Sequence, residues 1–123
     1  MPVRTRTLVC ALALAAAGCG EPPTVSVPSG HASITLDDYL IRPQNLRVPN
    51  DQRLTFTVTN RGRLGHTFRI RGATRNALVM TTIKPGETQT REVRRLRAGT
   101  YTMYCVLANH EELGMRGTLK VGR

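Results

Sequence analysis

From Ser33 to the C-terminus, apolar residues recur at every second position. Ile34 and Leu36 alternate with Ser33 and Thr35. Leu54, Phe56 and Val58 alternate with Thr55, Thr57 and Thr59. Phe68 and Ile70 alternate with Arg69 and Arg71, Tyr101 and Met103 with Thr102 and Tyr104, and Leu119 and Val121 with Thr118 and Lys120. A period of two, with Thr or Arg on the opposite face, is that of strands with one buried and one wetted side. Turn-forming residues separate the runs at Pro49-Asn50-Asp51, Asn60-Arg61-Gly62, Pro85-Gly86 and Ala98-Gly99. The pattern predicts an all-β domain, an antiparallel sandwich or barrel of about seven to eight short strands. Between residues 72 and 98 the periodicity is weak. Leu78-Val79-Met80 and Glu92 to Leu96 could be strands, although Val93 and Leu96 do not share a face.

Ahead of this region the chain changes character. Arg4 and Arg6 precede an uninterrupted apolar run of ten residues, Leu8 to Ala17, and Gly18-Cys19 ends it. The run is half the roughly 20 residues of a membrane-spanning helix and has the organisation of an export signal. Its end resembles the lipobox of bacterial lipoproteins, with Ala16 where leucine is preferred. That resemblance implies a signal peptide over residues 1–18 and acylation of Cys19. Ordinary cleavage after the alanines, leaving Cys19 as a spare thiol, is the alternative. Residues 20–30 are rich in Pro, Gly and Ser. Residues 19–32 are therefore expected to be a lipidated N-terminus and flexible tether, with a reach of about 45 Å, and residues 33–123 the folded domain. His31 is expected to be solvated and without a role.

Charge adds a constraint. Lys plus Arg number 18 against 8 Asp plus Glu, a formal +10, which becomes +8 once Arg4 and Arg6 leave with the signal. This excess either reflects composition or attracts an acidic partner or anionic surface. Nucleic acid is a poor candidate, because the cations are dispersed and the five aromatics form no stacking motif. With Cys10 and Cys19 in the leader region, Cys105 is the single cysteine of the domain, so no internal disulfide can form.

The chemistry lies near the C-terminus. Cys105, His110 and Met115 follow one another with four residues between each pair. Steps of five cannot be aligned on one helix face, but a loop after a strand can curl them around a point. His66 shares a face with Phe68 and Ile70 and points inward at a strand end; Cys105 does the same beside Tyr101 and Met103. Two imidazoles, a thiolate and a thioether form a soft to borderline donor set. A His₂Cys plane with a weak axial Met is the arrangement of blue-copper electron-transfer sites, whereas a Met ligand is unusual for zinc.

With these residues in place, the domain resembles the cupredoxins, the plastocyanin- and azurin-like type 1 blue copper proteins, from about Ile34 to Val121. Asp38 to Pro43 resembles the family's early strand. Asn60-Arg61-Gly62-Arg63-Leu64-Gly65-His66-Thr67-Phe68-Arg69-Ile70 resembles the segment carrying the first histidine ligand. Gly99 to Cys105, His110 and Gly114 to Thr118 resemble the ligand loop and last strand. The resemblance implies a Greek-key β-sandwich and one type 1 copper ion held by His66, Cys105, His110 and Met115. Thr67 stands where members often have Asn or Asp hydrogen-bonding toward the ligand loop. Tyr101 sits in a segment resembling a tyrosine corner.

The implied function is one-electron transfer in the periplasm or at the cell surface, with copper storage or delivery as the alternative and no enzymatic activity. Partners would be a redox protein, acidic if the charge is functional, and a lipid membrane through Cys19; the protein is expected to be a monomer. His110 is the expected electron port, within an apolar patch of Leu64, Leu107, Ala108 and Leu113. Arg61, Arg63 and Arg116 would surround it, with Glu111 and Glu112 adding opposite charge.

Overall fold

The computed structural model describes Met1 and residues 18–123, so the expected leader lies, apart from its two ends, outside the described residues. The described residues contain ten strands and no helix: β1 (Thr24–Ser26), β2 (His31–Asp37), β3 (Leu40–Arg42), β4 (Asn45–Val48), β5 (Leu54–Asn60), β6 (His66–Arg71), β7 (Asn76–Ile83), β8 (Thr88–Val93), β9 (Gly99–Tyr104) and β10 (Arg116–Val121). They form a six-stranded sheet, β1-β4-β10-β9-β6-β7, and a four-stranded sheet, β3-β2-β5-β8.

The alternating runs do what their period requires. Ile34, Leu36, Leu54, Phe56 and Val58 turn inward from one sheet. They meet Phe68, Ile70, Met80, Ile83, Met103 and Leu119 from the other, all 0–1% exposed. Phe56 and Phe68 touch across the sandwich with ring centroids 6.4 Å apart. The threonines of β5 face solvent and pair across the sheet, Thr57 with Thr90 and Thr59 with Thr88. Tyr101 donates its hydroxyl to the Arg97 carbonyl at 3.0 Å, the corner bond its position suggested.

Three expectations are corrected. The sheets are mixed: β1 with β4, β4 with β10, and β2 with β5 run parallel. Period-two patterning reports which face is buried and carries no information on a neighbour's direction. The stretch 19–32 is not loose throughout. Thr24-Val25-Ser26 adds to the sheet edge beside β4, Asn45 Nδ2 donates to the Pro22 carbonyl at 2.8 Å, and β2 already begins at His31. Paired backbone there satisfies groups that a tether would leave to water. Finally, Asp38 and Tyr39 are not part of a strand. They form the two-residue turn between β2 and β3, closed by the Asp37–Leu40 pair.

The weakly periodic segment resolves into β7 and β8, and buried Leu96 lies outside both. β6 and β9 pair antiparallel, Arg69 opposite Tyr104. The start of β6 and the end of β9 therefore lie at the same end of the sandwich, which is where His66 and Cys105 sit.

Candidate metal centre

β6 opens on His66, and the preceding loop is held by one buried amide. Asn60, 0% exposed, donates Nδ2 to the carbonyls of Leu64 and Ile83 at 2.8 Å each, and its Oδ1 accepts from the Gly62 amide at 2.9 Å. β9 ends at Tyr104 and delivers Cys105. From there the chain runs through tight turns, with His110 N bonded to Leu107 O, Leu113 N to Asn109 O and Gly114 N to Glu111 O. Met115 closes the loop: its amide donates to the His110 carbonyl at 2.9 Å, and its carbonyl accepts from the Cys105 amide at 3.2 Å. The turns bring together residues that five-residue steps would scatter around a helix.

One potential ligand atom each from His66, Cys105 and His110 lie within 4.8 Å of one another. The two Nδ1 atoms are 3.2 Å apart and Cys105 Sγ is 3.7 Å from His110 Nδ1. Single bonds of about 2.0 Å to nitrogen and about 2.3 Å to sulfur can bridge such separations from one central ion. His66, Cys105 and Met115 are 0% exposed, and His110 alone reaches the surface, at 9%.

The surroundings suit a thiolate. Thr67 points both its amide, at 3.4 Å, and its hydroxyl, at 3.5 Å, toward Cys105 Sγ. The same hydroxyl oxygen accepts the Val106 amide at 2.9 Å. Thr67 thus stitches β6 to the ligand loop and offers two donors to sulfur. Arg71 and Glu111 add a tie from outside. Arg71 Nη1 reaches Glu111 Oε2 at 3.1 Å while its guanidinium lies 4.2 Å over the Tyr104 ring. Glu111, the neighbour of His110, is therefore engaged with β6 and is not free to present charge around the port.

Two residues that the sequence did not mark belong to the site. Asp38 Oδ1 lies 3.0 Å from His66 Nε2 and also accepts the amides of Arg63 and Leu64. The Arg63 amide first, and then the His66 ring, hold the Asp38 carboxyl below its ordinary range. Tyr39 meets the His110 ring edge-on, centroids 5.2 Å apart at 88°. Both are remote in sequence from the ligand loop, so no local spacing signals them.

The patch around His110 differs in composition from the expected one. Leu64 and Leu113 are exposed, at 42% and 53%, but Leu107 packs against the core. Ala108 is exposed with φ 44°.

A two-sheet β-sandwich with a buried nitrogen–sulfur cluster at one end, its sulfur hydrogen-bonded and one imidazole reaching the surface, defines a small metal-binding domain. A model of the cupredoxin-like domain matches residues 8–121, and the chain belongs to that family. The fold is shared with the dithionite-reduced auracyanin of the photosynthetic bacterium Roseiflexus castenholzii, 19% identical with a TM-score of 0.72 over 79% of this chain and 100% of that one. It is also shared with rusticyanin of Thiobacillus ferrooxidans, 17% identical with a TM-score of 0.63 over 80% and 81%. A multicopper oxidase contains it too, 23% identical with a TM-score of 0.59, this chain covering 45% of that larger one. No curated protein sequence matches the chain.

Proposed function

We propose that this protein is a type 1 copper electron carrier that works outside the cytoplasm. The observation that carries the reading is the buried cluster of His66, Cys105 and His110, with Thr67 donors on the sulfur. Thiolate and imidazole without any carboxylate among the converging atoms favour copper over hard cations. Bound copper would supply reversible one-electron exchange between its cupric and cuprous states. His66, Cys105 and His110 would hold it, with the Met115 thioether as a further, weaker donor. With Met115 as a fourth donor the site would leave no position for a substrate, which supports a carrier. The two sheets and the Asn60, Thr67 and Arg71 ties keep the donors in place whatever the charge between them, so little reorganisation opposes transfer. His110, the one member of the buried cluster that reaches the surface, is the path for the electron, and Leu64 and Leu113 give it an apolar surround.

The basic start and apolar run of residues 1–19 support export, and acylation of Cys19 would anchor the domain. With β1 bound to the sheet edge and the Pro22 carbonyl held by Asn45, the free leash is only Cys19 to Glu21, about 10 Å at full extension. An anchored domain would stay close to its membrane.

The test is the visible and electron-paramagnetic spectrum of the protein loaded with cupric ion. An intense blue band with narrow copper hyperfine splitting is expected; stoichiometric colourless copper would overturn the reading.

Met115→Leu is expected to retain copper and colour and to raise the reduction potential. Removing a weak donor from a fully buried position leaves the two imidazoles and the sulfur in place but makes the site less polar, which disfavours the more highly charged cupric state. Voltammetry measures this, and complete loss of copper would make Met115 a primary ligand.

Charge at the port makes a separate expectation. Arg61, Arg63 and Arg116 are exposed at the copper end. Arg75, Arg94, Arg95 and Arg97 instead line a groove at the opposite end, past the Arg71–Asn76 pair and before β9. Only the first group can steer a partner to His110. The rate of oxidation of the reduced protein by a small anion such as ferricyanide should fall with salt as the Debye length shrinks from about 30 Å at 0.01 M to about 10 Å at 0.1 M. Arg63→Glu should flatten the dependence. A flat wild-type profile in stopped flow would show that these arginines do not steer.

A further inference from the structure

The β2–β3 turn comes from the sheet that carries none of the ligands, yet its two residues reach both imidazoles. Asp38 faces His66 and Tyr39 faces His110. Three features show that the turn is built for this contact and does more than close a hairpin.

The Asp38 carboxylate is pinned. The Arg63 amide donates to both its oxygens, at 3.0 and 3.1 Å, and the Leu64 amide donates to Oδ1 at 3.2 Å. A carboxylate is acceptor-only, so Nε2 of His66, 3.0 Å away, must be the donor. The proton on Nε2 leaves the Nδ1 lone pair directed at the cluster.

Gly62 gives the carboxylate room. A Cβ there would lie 2.3 Å from Asp38 Oδ1 and 3.0 Å from His66 Nε2, so any other residue would push the pair apart.

Tyr39 holds a left-handed backbone, φ 66°. Gly or Asn is favoured in such a turn position, and an aromatic residue there carries strain. A strained residue persists where the surrounding structure over-determines it, and here the Tyr39 ring is seated edge-on against His110.

We propose that the Asp38–Tyr39 turn presets the site, Asp38 by fixing the His66 tautomer and placing a negative charge behind it, and Tyr39 by bracing the His110 ring. Neither residue is a ligand; both are positioning residues. This inference rests on the copper reading for its redox consequence and stands without it for the tautomer. A carboxylate behind a ligating imidazole raises the basicity of that ligand and stabilises the more highly charged metal state. The turn therefore sets the potential lower than the donor set alone would.

The experiment compares wild type, Asp38→Asn, Asp38→Ala and Tyr39→Gly. Nitrogen-15 NMR of the metal-free protein reads the imidazole tautomers, and voltammetry of the copper-loaded protein reads the potential. Wild type should show His66 protonated at Nε2 alone. Asp38→Asn keeps an acceptor oxygen but loses the charge. It should preserve the tautomer while weakening cupric relative to cuprous binding about tenfold, a rise of about 59 mV for one electron. Asp38→Ala should give mixed His66 tautomers and lose roughly 10- to 100-fold in cupric affinity. Tyr39→Gly relieves the backbone, so its metal-free stability should not fall, while the His110 signals should broaden.

An unchanged His66 tautomer in Asp38→Ala, or an unchanged potential in both Asp38 variants, overturns the assignment to Asp38. Unaltered His110 signals in Tyr39→Gly overturn the bracing role. A wild type that binds no copper refutes the copper reading, and the metal-free NMR then still decides the tautomer.

Discussion

Cys105→Ser is expected to abolish the blue band and to reduce cupric affinity by orders of magnitude, while the metal-free protein keeps its fold. The sulfur is the one soft anionic donor among the converging atoms, and a neutral hydroxyl in its place neither binds cupric ion strongly nor mixes with it to give colour. Its neighbours explain why the fold should survive. Serine is close to cysteine in size, and the Thr67 amide and hydroxyl that now point at Sγ would meet an acceptor oxygen. A satisfied buried hydroxyl should alter metal-free stability by only about 1 kcal/mol. Copper titration followed by absorbance, beside thermal unfolding without metal, separates the two effects. A variant that stays blue would mean the colour arises elsewhere; one that fails to fold would mean Cys105 is needed chiefly for packing.

Phe68→Ala is the complementary case, with a large loss of stability expected and colour retained. Phe68 is 0% exposed, lies two residues beyond His66 on the same strand face, and meets Phe56 across the sandwich. Truncating a ring in such a core costs about 3–5 kcal/mol. At roughly 4–8 °C per kcal/mol for a domain of this size, the unfolding temperature should drop by at least about 12 °C. The ligands and the Asn60, Thr67 and Asp38 contacts are untouched, so the variant loaded with copper below its transition should still be blue. Stability within about 1 kcal/mol of wild type would show that the core closes over the gap. A stable but colourless variant would show that the ring positions His66 directly.

The two substitutions probe parts of the molecule that were unequally legible in the chain. The strands over Ile34–Leu36, Leu54–Val58, Phe68–Ile70 and Leu119–Val121 are written in alternation, because burying one face is a local demand on every second residue. The donor types are equally plain. His66 and Cys105 sit at the ends of core-facing runs, and His110 and Met115 follow at a spacing only a loop can gather. Thr67 could be read as a neighbour of the ligand loop, and the structure shows its amide and hydroxyl on the sulfur.

Other features left no such mark. The short strand Thr24–Ser26 lies in a stretch rich in proline and serine, and it forms because β4 offers a free edge beside it. Leu107 has the composition of a surface patch residue, yet the turns that follow Cys105 rotate it onto the core. Glu111 looks like free charge until β6 brings Arg71 to it.

The amino-acid sequence by itself therefore determined the all-β class, the inward faces and the chemistry of the donor set, since each depends on a residue and its near neighbours. Only the tertiary structure decided which strands run parallel, which residues surround the imidazoles, and that Asp38 stands behind His66 at 3.0 Å across 28 positions of chain. Those relations arise where separate strands pair and two sheets pack, and a side chain's own periodicity holds no record of the partner it will meet there.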